Sequence, residues 1–147
     1  MILRNCQPAD EAAVAALWRQ AFPYPQARND PAAVVRTKLA VQPELFFVAE
    51  DRGAVIGTVM AGYDGHRGWL YRVAVHPAHR RRGVGRALVR HAEAALRALG
   101  CAKVNLQINA DNADVVAFYR RLGYQIEERI SMGKPLAGPD GGAPAGG

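Results

Sequence analysis

The chain has 147 residues, half of them apolar and 22% charged, which is enough to bury one core without metal or disulfide staples and excludes a disordered protein. Its longest nearly apolar stretch, residues 54–62, is far short of the ~20 residues of a membrane span, and residues 1–6 lack the charged start and apolar middle of a signal peptide, so a cytoplasmic protein is expected. The net charge of +6 is concentrated: from Arg67 to Lys103 eight Arg and one Lys face the single acid Glu93, which leaves the rest of the chain net acidic at −2.

Taken in order, residues 2–5 read as a short strand. Pro8, Ala9 and Asp10 precede Ala13, Val14, Leu17 and Trp18 at helical spacing, with Asp10 placed to cap the first turn. After a break at Phe22, Pro23, Tyr24 and Pro25, Asp30 as cap and Pro31 at the first helical position open a second helix through Val35 and Leu39, which Pro43 stops. Residues 45–50, 54–62 and 69–75 are rich in β-branched and aromatic residues and are separated by turns at 51–53 and 64–65, the pattern of an antiparallel meander. The period then changes. Val84, Leu88, Ala92, Ala95 or Leu96, and Leu99 line one face of a long helix ending at Gly100. Val104, Leu106 and Ile108 alternate with polar residues as a strand, Asn112 opens a last helix through Leu122, and Gly123 ends it before a strand over residues 124–130. The fold class is α/β: a single domain over residues 1–137 with a mixed, mostly antiparallel sheet flanked by helices. Residues 138–147 hold five Gly and two Pro and read as a flexible tail.

The basic segment implies an anionic partner, either nucleic acid or a phosphorylated small molecule. Its arginines cluster at one loop instead of spreading along a face with stacking aromatics, which disfavours a nucleic-acid module. Gly83 and Gly85 allow a tight turn and a close approach of backbone to ligand, and the free amides of the following helix meet the positive end of its dipole there. A pyrophosphate suits such a place. The dinucleotide fingerprint is missing its third Gly, and no Walker Gly-Lys-Ser/Thr follows. Cys6 and Cys101 form no C-x-x-C pair and have no His or carboxylate at ligand spacing, so neither a disulfide nor a metal site is expected.

Arg80-Arg81-Arg82-Gly83-Val84-Gly85 is similar to the coenzyme A loop of the GNAT superfamily of acyl-CoA N-acyltransferases, Gln/Arg-x-x-Gly-x-Gly/Ala. Residues 112–124 resemble its second signature, an Asn followed seven residues later by Tyr and then by Leu-Gly-Phe/Tyr, here Asn112, Tyr119 and Leu122-Gly123-Tyr124. Residues 59–68 with Asn29-Asp30-Pro31 resemble the YpeA branch of that family. The resemblance implies acetyl-CoA as cosubstrate and an amine acceptor as partner, without membrane or nucleic acid. Carried over by position, amides of Arg81, Arg82, Gly83, Val84, Gly85 and Arg86, with Arg80 beside them, would hold the pyrophosphate. Val73, Ala74 and Val75 would offer backbone groups to the pantetheine arm. Asn112 would hydrogen-bond pantetheine, Phe118 would pack near it, and Arg121 would reach the nucleotide end. Tyr119 would be the general acid for the leaving thiolate; its purely structural alternative is a core aromatic in step with Val115 and Leu122.

The acceptor side is less legible. Many family members that acetylate protein lysines carry a Glu on the strand equivalent to residues 69–75, and this chain has Trp69, Tyr71 and Arg72 there with no carboxylate. Asp30, Glu50, Asp64 and His66 are the candidate bases, and Tyr63 and Tyr71 the candidate acceptor contacts. Asp30 is equally a helix cap and Asp64 a turn former. A water chain along Asn105, Gln107 and Asn109 is the other route for the proton. His76 and His79 read as solvated loop residues, and Cys101, lacking a paired base, does not suit a ping-pong mechanism. The expected reaction is acetyl transfer to a primary amine, of a small molecule or a peptide or protein N-terminus, by direct attack in a ternary complex. The alternative within the same resemblance is a catalytically idle acyl-CoA sensor.

Overall fold

A computed structural model of the chain describes residues 1–22 and 30–137. The break at Pro23–Pro25, Asn29 and the tail over 138–147 lie outside the described residues. The chain packs as two compact units that divide after Asn109.

The first unit is built on a five-stranded sheet in the order β1 (Ile2–Asn5), β2 (Phe46–Asp51), β3 (Ala54–Tyr63), β4 (Gly68–Val75), β5 (Val104–Asn105). The first four strands are antiparallel to their neighbours and β5 runs parallel to β4, which makes the sheet mixed as expected. Helices cover both faces. Gly57 and Thr58 are adjacent on β3 and so point to opposite sides. A Cβ on Gly57 would lie 2.8 Å from Leu88 and 3.1 Å from Val84 of α3 (Val84–Ala98). Thr58 instead bonds Trp18 of α1 (Glu11–Ala21). Only a residue without a side chain lets α3 settle this close to β3, and an added methyl there forces a backbone or rotamer shift worth about 1–3 kcal/mol.

On the α1 face, Trp18, Phe46, Val14, Val48 and Val35 of α2 (Pro31–Ala40) are fully buried together. The rings of Trp18 and Phe46 stack with centroids 5.9 Å apart. On the α3 face the amphipathic stripe Val84, Leu88, Val89, Ala92 and Leu96 is buried. Leu99, expected to continue it, is half exposed, because the helix ends at Ala98 and Gly100 turns the chain away at φ +90°.

Other expectations change for local reasons. The Asp30 carboxylate caps α2 by accepting from Ala33 N at 3.1 Å, but Asp10 makes no cap bond to α1. Its carboxylate accepts from both guanidinium nitrogens of Arg4 at 2.8 and 2.9 Å and from Gln7 N at 2.7 Å. A bidentate ionic pair outcompetes a single amide. The strand expected from Val104 to Ile108 shrinks to two residues that pair with Gly68 and Trp69.

The second unit holds α4 (Ala113–Arg121), capped by Asn112 Oδ1 accepting from Val115 N at 3.3 Å. Gly123, at φ +95°, ends it as expected. The strand expected over 124–130 is not formed: these residues have irregular backbone, and Ile126 and Ile130 are exposed, so the alternation has no buried face to serve.

Candidate active site

β5 pairs with β4 only at Gly68 and Trp69. Beyond them, residues 70–75 of β4 have no ladder partner on that side among the described residues, while β3 continues on the other side up to Gly57 opposite Val75. The backbone of Val73, Ala74 and Val75 therefore forms a strand edge opened inside the sheet. From its end the chain runs through a short turn, Pro77–His79, into the loop before α3.

That loop is built for backbone donors. Arg81 sits at φ +63° and Gly83, the helix N-cap, at φ +78°. Gly83 adopts this conformation without penalty, whereas Arg81 does so at a cost of about 1 kcal/mol. The first intrahelical bond is Ala87 N to Gly83 O at 3.0 Å, and no side chain caps the helix. The amides of Val84, Gly85 and Arg86 thus lack intrahelical acceptors at the positive end of a 15-residue helix. Arg80, Arg81, Arg82 and Arg86 are exposed around them. His76 and His79 are half-buried rather than solvated: His76 Nδ1 accepts from Ala78 N at 3.1 Å, and His79 Nδ1 lies 2.9 Å from Arg82 Nη1. Free amides at one end and an open strand edge at the other have the donors and acceptors that a ligand with phosphates and an amide-bearing arm requires.

On the α1 face, β4 carries a bulge. Thr58 faces Ala74 and Met60 faces Tyr71, so Arg72 and Val73 share the single place opposite Val59. Arg72 has φ +52°, which turns its side chain toward α1, where the guanidinium lies 5.3 Å from the Trp18 ring centroid and 5.0 Å from that of Phe22. Fully buried Thr58 fixes this kink by accepting from Trp18 Nε1 at 2.8 Å and donating to Arg72 O at 2.8 Å. Neither Thr58 nor the left-handed Arg72 has a sequence signal, because a bulge is decided by strand pairing.

The acceptor candidates do not converge. Glu50, near the β2–β3 turn, pairs with Arg4 at 3.1 Å. Asp64 follows the other end of ten-residue β3, which separates the two by roughly 30 Å at ~3.3 Å per residue. Asp30 caps α2 and lies 3.7 Å from Arg19. Asp64 accepts from the amides of His66 and Arg67 at 2.8 and 2.7 Å, and these bonds hold its carboxyl below the usual range. A carboxylate so stabilised is a weak base. Tyr63 N donates to Gln42 Oε1, and the His66 side chain is exposed. Tyr71 is half exposed, and burial together with the charge of Asp64 raises its phenol; Asp64 also feels the charge of His66, so Asp64, His66 and Tyr71 are candidates that the fold brings within electrostatic reach.

Within the second unit, Tyr119 is 7% exposed and its ring meets Phe118 and Tyr124 edge-on at 4.9 and 5.5 Å. Burial pushes its phenol well above the ordinary value. Arg121 and Asn112 are exposed. Cys6 is buried and its thiol is pushed up to about 12, which makes it inert.

The model of the Acetyltransferase (GNAT) family matches residues 11–124. The chain belongs to this family. Acetyltransferase YE1169 of Yersinia enterocolitica is 42% identical over 139 residues, covering 92% of this chain and 96% of that protein. Among solved structures, Chaetomium thermophilum Naa20, determined in complex with a bisubstrate analogue, is 27% identical with a TM-score of 0.72 over 86% of this chain and 72% of its own. Ard1 from Thermoplasma volcanium, 23% identical with a TM-score of 0.77 over 96% of this chain and 90% of its own, shares the fold. The chain is therefore an acetyltransferase of the GNAT family, whose cosubstrate is acetyl-CoA. Among the described residues no helix is long and apolar enough to cross a membrane.

Proposed function

We propose that this GNAT acetyltransferase moves an acetyl group from acetyl-CoA to a primary amine, of a small molecule or a peptide N-terminus, by direct attack in a ternary complex. The observation that carries the reading is the open β4 edge over residues 70–75 leading to the uncapped first turn of α3. In this reading the amides from Arg81 to Arg86 take the pyrophosphate and Arg80 adds charge beside it. Val73, Ala74 and Val75 take the pantetheine arm, and Asn112, Phe118 and Arg121 serve the same ligand in the roles their motif implies.

The neutral amine attacks the thioester carbonyl carbon, a C–N bond forms, the nitrogen gives up its proton to solvent, the C–S bond breaks, and the sulfur leaves as a thiolate toward a hydrogen-bond donor and takes up a proton from solvent to become the CoA thiol. The family motif gives that role to Tyr119. Its raised phenol stays protonated at every working pH, as a donor to a departing thiolate must.

The acceptor reading follows from the bases. β4 offers no carboxylate, and Asp64 is held ionised by two amides. An enzyme so equipped favours an amine already partly neutral at pH 7, an α-amino group near ~8 over a lysine near ~10.4. Thiol release measured against pH with paired α-amino and ε-amino acceptors tests this. The α-amine is expected to win, with a rate that climbs as the free amine titrates. A lysine preference whose pH plateau disappears in Asp64→Asn would overturn it.

A further inference from the structure

No carboxylate among the described residues pairs with Arg72. Its guanidinium lies over the rings of Trp18 and Phe22 at 5.3 and 5.0 Å from their centroids. Desolvation alone acts on it, pulling its pKa down. The neighbouring cation on this face, Lys38, is committed to Ala61 O at 2.6 Å. A half-buried arginine held in a left-handed conformation, with its kink tied by Thr58 to Trp18, is expensive to build and contributes little to packing that a leucine would not.

We propose that Arg72 anchors a carboxylate on the acceptor, so that the substrate class is an amine that carries a carboxylate. The inference rests on the acetyltransferase reading and adds the acceptor's second group. Three points favour it. The ring contacts leave the in-plane N–H fork as the part that recognises a ligand, and that fork matches a carboxylate in two parallel bonds. One unpaired positive charge suits a monoanion better than a phosphate dianion. Arg72 also directly precedes Val73 on the open edge assigned to pantetheine, which sets an anchored acceptor beside the thioester end of that arm. Next to Arg72, Tyr71 pairs across the ladder with Met60, and Met60 with Val34, Thr37 and Lys38 lines a cleft of about 430 Å³. That cleft has room for an acceptor's apolar body. Neutralising the carboxylate has a chemical consequence as well: it removes the negative charge that holds a nearby amine protonated, and so lowers the amine's pKa toward the range this site can use.

The test compares N-acetylglycine with N-acetylglycinamide and N-acetylaminomethylphosphonate, the product-like acid, amide and phosphonate, by calorimetry with saturating CoA. The wild-type chain is expected to bind the acid at least tenfold tighter than the amide and tighter than the phosphonate. Arg72→Gln should erase the acid preference to within about twofold, Arg72→Lys should keep part of it, and CoA affinity should hold within about twofold in both. Equal binding of acid and amide by the wild type, equal losses for both in Arg72→Gln, or tighter binding of the phosphonate would overturn the assignment. A wild-type chain that fails to bind CoA refutes the acetyltransferase reading instead, and the acid-to-amide ratio measured without CoA still decides the role of Arg72.

Discussion

The Thr58 hydroxyl donates to the carbonyl oxygen of Arg72 at 2.8 Å while accepting from Trp18 Nε1 at the same distance, so one buried hydroxyl joins the core of α1 to the bulge of β4. Thr58→Val keeps the shape and leaves a buried N–H and C=O without their partner, a loss of about 1–3 kcal/mol. At this chain length that corresponds to a fall in Tm of roughly 2–12 °C. Thermal unfolding should recover most of the loss in Thr58→Ser, and an unchanged Tm in Thr58→Val would show that the hydroxyl does not hold the bulge.

Gly85 stands in the first turn of α3 with the other free amides. Gly85→Glu adds helix propensity worth up to ~1 kcal/mol and puts an acid where the helix dipole favours one, so the variant should fold at least as well as the wild type. Its charge opposes the phosphates. Acetyl-CoA affinity by calorimetry should fall at least tenfold with Tm preserved, whereas preserved affinity would remove the loop from the binding reading.

Tyr119→Phe keeps the edge-on ring contacts with Phe118 and Tyr124 and deletes the proton. Turnover should drop roughly ten- to a thousandfold with little change in acetyl-CoA affinity. Since burial raises the phenol, the wild-type rate should show no alkaline loss from this group below about pH 10. Equal turnover in the two proteins would return Tyr119 to packing.

Arg4 holds the Asp10 carboxyl below its ordinary value. A depressed folded pKa means that the stabilisation is fully present above the unfolded value near ~3.9 and is lost as pH falls through the folded one. Denaturant midpoints should be flat in this respect from pH 7 to about 5 and then decline in acid. Asp10→Asn, in which Arg4 retains Glu50 at 3.1 Å, should lose about 1–3 kcal/mol at pH 7 and show a shallower acid decline. A decline as steep as in the wild type would assign it to other carboxylates.

The sequence by itself determined what local chemistry determines. The period-2 and period-3.6 patterns give β2, β3, β4 and α3, Asp30-Pro31 gives the start of α2, and Asn112 with Gly123 bounds α4. The loop from Arg80 to Gly85 was legible for the same reason: glycine spacing, charge and a helix start are all read within a few residues. Tertiary structure alone decided the rest. Whether residues 106–109 and 124–130 become strands depends on a partner strand, so their alternation is insufficient. Whether Asp10 caps a helix or pairs with Arg4 is a competition between local and distant partners. The isolation of Arg72 belongs to this second class. Its left-handed backbone comes from a register shift between β3 and β4, its aromatic neighbours come from α1 and the residue after it, and the lack of a carboxylate partner among the described residues is set by the elements packed around it. A single residue in a strand carries no trace of such an environment, because the forces that set it act between segments far apart in the chain.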